Sequence, residues 1–189
     1  MNIIAKVIIT SNNDIKNIFI NDMLILKETI EYIEVYEKQK DDLKEVLIYS
    51  KNIDEKAINY IKDNYEVIKI INIGTCTAIN NLDLNPDVII PNTILNDKNK
   101  VFFIDFFIDK NYDLKNFLTL NICLSKENIK DEEELYDLKE RFSPDILDKE
   151  AFKICELLEN NRLSQNFCII KVVEEKELLK NSIIAEIMW

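Results

Sequence analysis

The chain has 189 residues, 47% of them apolar, and its 35 acidic residues against 24 basic ones leave a net charge of -11. The absence of histidine excludes a histidine triad, a histidine-ligated zinc and a histidine general base, and a single glycine, Gly74, excludes a glycine-rich phosphate loop. The charge has the wrong sign for a surface that neutralises nucleic-acid phosphates, and the length suits one domain over residues 1–189 with a sizeable core.

In chain order, the first expected strand is Ile3–Thr10, an apolar run broken by Lys6 and so read as neither a signal peptide nor a span. Val46–Ser50 is the next strand. The Asp54–Tyr65 segment then places Ala57, Ile58, Ile61 and Tyr65 on one helical face. Strand-length runs follow at Val67–Ile73, Val88–Ile90, Val101–Phe107 and Leu118–Leu124, with Asn92–Lys100 as a polar connection and no convincing helix among the last three. The Asp131–Phe142 segment carries Leu135, Leu138 and Phe142 above an acidic first turn, and Glu150–Glu159 carries Ala151, Ile154, Cys155 and Leu158. A strand at Phe167–Val173 and a helix at Glu177–Met188 close the chain.

Nearly continuous Ile, Val and Phe runs are what strands covered on both faces look like. The expected fold is therefore an α/β, three-layer α/β/α sandwich with a mixed central sheet and an antiparallel excursion in its middle. No apolar stretch approaches the roughly 20 residues that cross a bilayer, so no membrane partner is expected. Cys76, Cys123, Cys155 and Cys168 form no CxxC pair and read as buried free thiols of a cytoplasmic protein.

Chemistry belongs beyond the carboxyl ends of strands in such a fold. Two acidic features lie there. Glu150 opens a helix, where the dipole and free amides favour an ionised carboxylate. Such a group accepts from sugar hydroxyls and stabilises positive charge, but acids also favour helix starts with no further role. Glu174 and Glu175 follow the last strand. Adjacent carboxylates raise each other's pKa, as a general acid requires, and two solvated acids opening a helix have the same pattern.

Several segments carry a resemblance, in order along the chain from about residue 45. They are Ser50-Lys51-Asn52-Ile53, the run Ile70 to Ala78 with its Gly74-Thr75, Leu84 to Pro91, Asn96-Asp97, Ile122 to Ile129, Lys149-Glu150, and Lys171 to Glu175. Together they resemble the nucleoside phosphorylase and methylthioadenosine/adenosylhomocysteine nucleosidase superfamily. The resemblance implies a nucleoside-phosphorylase-like fold and hydrolysis of the N-glycosidic bond of a purine nucleoside by a homodimer, with no metal and no organic cofactor. It implies that Glu150 holds the ribose 2′-hydroxyl, Glu175 protonates the purine with Glu174 beside it, and Asp14 activates water. Lys171 stands where the family has an arginine that steadies the acid, and Lys149 where a methionine packs on ribose. Thr75 places a hydroxyl near the sugar, Gly74 allows a tight turn against the ligand, and Ile129 takes the place of the purine-stacking aromatic. Arg141 and Arg162, the only arginines, do not match the family's phosphate ligands, so hydrolysis is expected over phosphorolysis. The alternative within the resemblance is an inactive member that binds nucleosides or serves as a structural oligomer.

Overall fold

A computed structural model describes residues 3–21, 24–79, 88–104 and 117–173. These gather into two compact units. One takes the described residues up to Gly74 together with Ile154–Cys168, and the other takes those from Thr75 to Lys153 and from Ile169 to Val173. The expected last helix, Glu177–Met188, lies outside the described residues, as does most of the segment before Val88.

The first unit contains β1 (Ile3–Thr10), α1 (Asn13–Asn21), β2 (Ile25–Ile30), β3 (Ile33–Lys40), β4 (Leu43–Ser50), α2 (Glu55–Asn64) and β5 (Tyr65–Ala78) as far as Gly74. Its strands run in the order β5-β1-β4-β3-β2. β1 is parallel to both β4 and β5, while β2, β3 and β4 form an antiparallel meander. The central strand β1 is an apolar run because it is covered on both sides: Val7, Ile8 and Ile9 are buried. The meander turns through Glu31 and Asp41, both left-handed, at φ 55° and 53°. In a chain with one glycine these turns are built from acidic residues that tolerate positive φ at some cost.

Sequence periodicity missed α1, β2 and β3. Asn12 caps α1, its Oδ1 accepting from the amides of Asp14 at 2.9 Å and Ile15 at 3.1 Å. Ile15, Ile18 and Phe19 then bury one face. Lys16 ties the helix to the sheet, 3.1 Å from Glu34 and 4.1 Å above the Tyr49 ring centroid.

On the meander, Glu37 receives Lys27 at 3.0 Å, Lys44 at 2.5 Å and the hydroxyl of Tyr65. Burial alone would raise the Glu37 carboxyl, but hydrogen bonds from Lys44, Tyr65 and Lys27 outweigh it and hold the group below the usual carboxylate range. A depressed carboxyl stabilises the fold above the ordinary value of about 4.3 and loses that contribution as pH falls. Glu37→Leu is expected to cost about 1–2 kcal/mol at neutral pH, because three donors lose their acceptor. Urea titrations at pH 7 and pH 3 check this: the difference between variant and parent shrinks at the lower pH.

The second unit contains the rest of β5, β6 (Val88–Asn96), β7 (Val101–Phe103), β8 (Phe117–Ser125), α3 (Glu132–Phe142), β9 (Ile146–Asp148), the first turn of α4 (Ala151–Asn160), and β10 (Phe167–Val173) from Ile169. Its strand order is β10-β6-β8-β9-β5, with β7 paired to β6. The middle of the chain is not the antiparallel excursion that the sequence implied. β6 is parallel to β8, and β8 is parallel to β9. The short β7 turns back on β6, and β10 also pairs with β6 in the antiparallel sense. Asn92–Asn96 also belongs to β6 rather than to a polar connection, because Ile94 is buried there. The β6–β8 register shifts on both sides of Pro91, which has no amide for the ladder. Facing it, Asn121 keeps its Oδ1 buried and unpartnered.

The helices of this unit are capped by acids. Asp131 accepts from the amide of Glu134 at 2.8 Å, and Glu134 accepts from the amide of Lys130 at 2.7 Å. The mixed α/β architecture expected from the sequence is the one observed. Among the described residues no helix is long and apolar enough to cross a membrane.

Candidate active site

The parallel strands β6, β8 and β9 end on a common rung. Asn96 pairs with Ser125, and Ser125 pairs with Asp148. Three polar residues thus close three adjacent parallel strands, at the edge where α/β proteins bind ligands. The ladder continues one step further, the amide of Lys126 donating to the carbonyl of Asp148 at 2.8 Å.

Asp148 does two jobs with its two oxygens. Its Oδ1 accepts from the amide of Glu150 at 2.8 Å and from the amide of Ala151, capping α4. Its Oδ2 meets the ammonium of Lys171 at 2.7 Å. The next amide of the turn, that of Phe152, donates to Ser125 Oγ at 3.0 Å. The three amides at the start of α4 are therefore satisfied from within, and this helix end offers none of them to a bound anion.

Lys171 lies on β10 opposite Ile89 of β6 and is completely buried, while Asp148 is 4% exposed. Burial works to strip the Lys171 proton. The charges of Asp148 and Glu150, with the hydrogen bond to Asp148, outweigh it and raise the ammonium above the ordinary lysine value. A lysine within an Ile-Ile-Lys-Val-Val strand is tolerable only with such a carboxylate beside it.

Glu150 is half-buried, one residue before α4. Its backbone is fixed by Asp148, and among the described residues its carboxylate makes no hydrogen bond or ion pair. A second charged group lies beside the rung. Lys126 reaches Asp97 at 2.8 Å and Glu134 at 3.2 Å. The hydrogen bond from Lys126 holds the Asp97 carboxyl below its usual range. The Phe152 ring packs on Phe102 of β7, with centroids 4.9 Å apart.

Of the residues singled out from sequence, Glu150 and Lys171 come together around Asp148. Lys149 is exposed on the turn before α4, and Ile129 is half-buried in the irregular segment after β8. Thr75 is half-buried in β5. Gly74 differs from expectation. It lies buried inside the fourteen-residue β5 without positive φ, so the strand runs straight through it and no tight turn forms there. Asp14 is exposed in the first turn of α1, in the first unit. Glu174 and Glu175 lie outside the described residues. Sequence reasoning did not assign Asp148 and Ser125. Asp148 had a usable signal: an aspartate three residues before Ala151 caps a helix, and a lysine in an apolar strand needs a carboxylate.

No family model matches the chain, and no curated protein matches it by sequence. Solved structures do match. A futalosine hydrolase mutant of Helicobacter pylori superposes with a TM-score of 0.74 at 10% identity, over 99% of this chain and 96% of that one. A putative 5′-methylthioadenosine/S-adenosylhomocysteine nucleosidase of Borrelia burgdorferi, bound to adenine, gives 0.68 at 17% identity over 90% and 85%. The 5′-methylthioadenosine/S-adenosylhomocysteine nucleosidase of S. pneumoniae, with a transition-state inhibitor, gives 0.69 at 12% identity over 89% and 84%. At these identities the likeness is one of fold, and it bears out the resemblance read from the sequence: the chain has the fold of the nucleoside phosphorylase and nucleosidase superfamily.

Proposed function

We propose that the chain hydrolyses the N-glycosidic bond of a purine nucleoside. The observation that carries this reading is Glu150, a half-buried carboxylate that no described residue hydrogen-bonds, on a turn fastened by Asp148 beyond the carboxyl ends of three parallel strands. In the reaction the C–N bond breaks and its electron pair passes to the base. The base takes a proton, water adds to the anomeric carbon, and the water gives up a proton. The sugar carries positive charge in between, as in glycosidases. Glu150 accepts from the ribose hydroxyls and stabilises that charge. Lys171 pairs with Asp148 at 2.7 Å, and its ammonium and the Glu150 carboxylate act on each other through charge alone. The proton for the base is assigned to Glu175, with Glu174 beside it, and the activation of water to Asp14, on the resemblance. Thr75, Lys149 and Ile129 are assigned to substrate contacts on the same ground.

The fold shared with nucleosidases and futalosine hydrolase supports hydrolysis of a nucleoside-like substrate. The self-satisfied start of α4 leaves its amides unavailable to phosphate, in keeping with water as the acceptor. A cytoplasmic homodimer is part of the same proposal, in keeping with four cysteines that are all buried. A second reading, a nucleoside-binding member without turnover, is favoured by Ile129, which offers no flat ring for a purine to stack on.

Incubation with methylthioadenosine, adenosylhomocysteine, futalosine, adenosine and inosine, with and without phosphate, decides between them. Free base released without phosphate, and lost in Glu150→Gln, Glu175→Ala and Asp14→Asn, is the expected result. Release only with phosphate would make the chain a phosphorylase. Absence of release at high protein concentration would leave the binding reading.

A further inference from the structure

We propose that Ser125 is a positioning residue for Glu150, an inference that rests on the role given to Glu150 above. Ser125 ends β8 and is 7% exposed. Its Oγ accepts from the amide of Phe152 at 3.0 Å, a bond spanning 27 residues of chain. Asp148 satisfies the two preceding amides, but it is itself on the short β9, immediately before the turn. Ser125 is thus the link that fastens the first turn of α4 to a long interior strand. The register makes the link direct, since Ser125 and Asp148 are partners across β8 and β9. The Phe152 ring, held against Phe102, fixes the same residue from its side-chain end.

Glu150 sits between the residues so held. Its backbone amide is bonded, and its carboxylate is not held by any described neighbour, so its placement depends on the turn. Removing the Ser125 hydroxyl leaves a buried amide without an acceptor and lets the turn relax. A serine that merely filled space would be replaced by alanine with no such consequence.

Turnover of the released-base reaction and backbone amide exchange test this together. Ser125→Ala is expected to lower kcat about 10- to 100-fold, the effect of an ångström-scale misplacement, with KM changed much less. Ser125→Thr, which keeps the hydroxyl, restores it. In a Glu150→Gln background the same Ser125→Ala change costs nothing further, because the group it positions is already gone. Equal losses in both backgrounds would overturn the proposal. Amide exchange reads the link without any activity. Glu150, Ala151 and Phe152 should exchange faster in Ser125→Ala and at the parental rate in Ser125→Thr, with α3 unchanged as a control for folding. Unchanged exchange in Ser125→Ala overturns the proposal whether or not base is released. Faster exchange in a protein that releases no base upholds the link and rejects only the nucleosidase reading.

Discussion

Lys171→Met destabilises the protein by about 3–5 kcal/mol, the range for removing one partner of a buried ion pair. Lys171 is fully buried and Asp148 nearly so, with 2.7 Å between their charged atoms. Taking the ammonium away leaves the carboxylate in a dry site with amide donors on one oxygen only. The double variant Lys171→Met with Asp148→Asn should recover most of the loss. Its amide oxygen still caps α4, and neither charge needs solvation. Replacing both members of a buried pair is commonly neutral or better. Urea midpoints for the parent, the single variant and the double variant measure this. A double variant as unstable as the single one would show that methionine simply does not fit, and that charge is not the cause. The pH dependence has a definite sign. A lysine raised above its ordinary value stabilises fully below about 10.4 and loses its contribution only as pH rises past that. The contribution of Lys171 to the parent's stability should therefore be constant between pH 6 and pH 9.

What could be read from the sequence divides along physical lines. Strands covered on both faces announce themselves as unbroken apolar runs, and β1 and β10 coincide with the runs Ile3–Thr10 and Phe167–Val173. Capped amphipathic helices were equally legible: Asp54 and Asp131 stand at the starts of α2 and α3. The meander was not. β2 is exposed along most of its length and mixes Lys, Glu and Thr with Ile and Leu, while β3 places Glu34 and Glu37 among its buried residues. Their ion pairs and tyrosine contacts are set by pairing across strands, which one-dimensional periodicity does not carry. At the site, Glu150 and Lys171 could be picked out by residue type and order. Their connection could not, because it runs through Asp148, whose partners are 2, 3 and 23 residues away along the chain. Gly74 shows the opposite error. Its rarity drew attention, yet the backbone there needs no glycine conformation.

If Glu150 has the proposed role, Glu150→Gln is expected to lower base release by about 10²- to 10³-fold, the span for loss of one preorganised electrostatic contact to the transition state. The substitution keeps shape and hydrogen-bond reach and removes only the charge that opposes a cationic sugar. Stability should fall modestly. The Glu150 carboxylate is half-buried and no described residue hydrogen-bonds it, but its charge supports the buried Lys171 ammonium, so the midpoint of thermal unfolding drops by a few degrees at most, about 1 kcal/mol or less, well short of the loss in Lys171→Met. Glu150→Asp keeps the charge but withdraws it by one methylene, and a displacement of that size costs up to about 10²-fold. The order expected is therefore parent, then Asp, then Gln in rate, with only a small loss of stability in Gln. That pattern separates Glu150 from its neighbour Asp148, two positions earlier, whose replacement by alanine removes both the cap and the counter-ion of Lys171 and so disturbs the fold first. If Glu150→Gln kept the parental rate, the residue would be an acid at a helix start and nothing more, and the small loss to be looked for would be in α4 itself, a few tenths of a kcal/mol from the lost charge–dipole interaction.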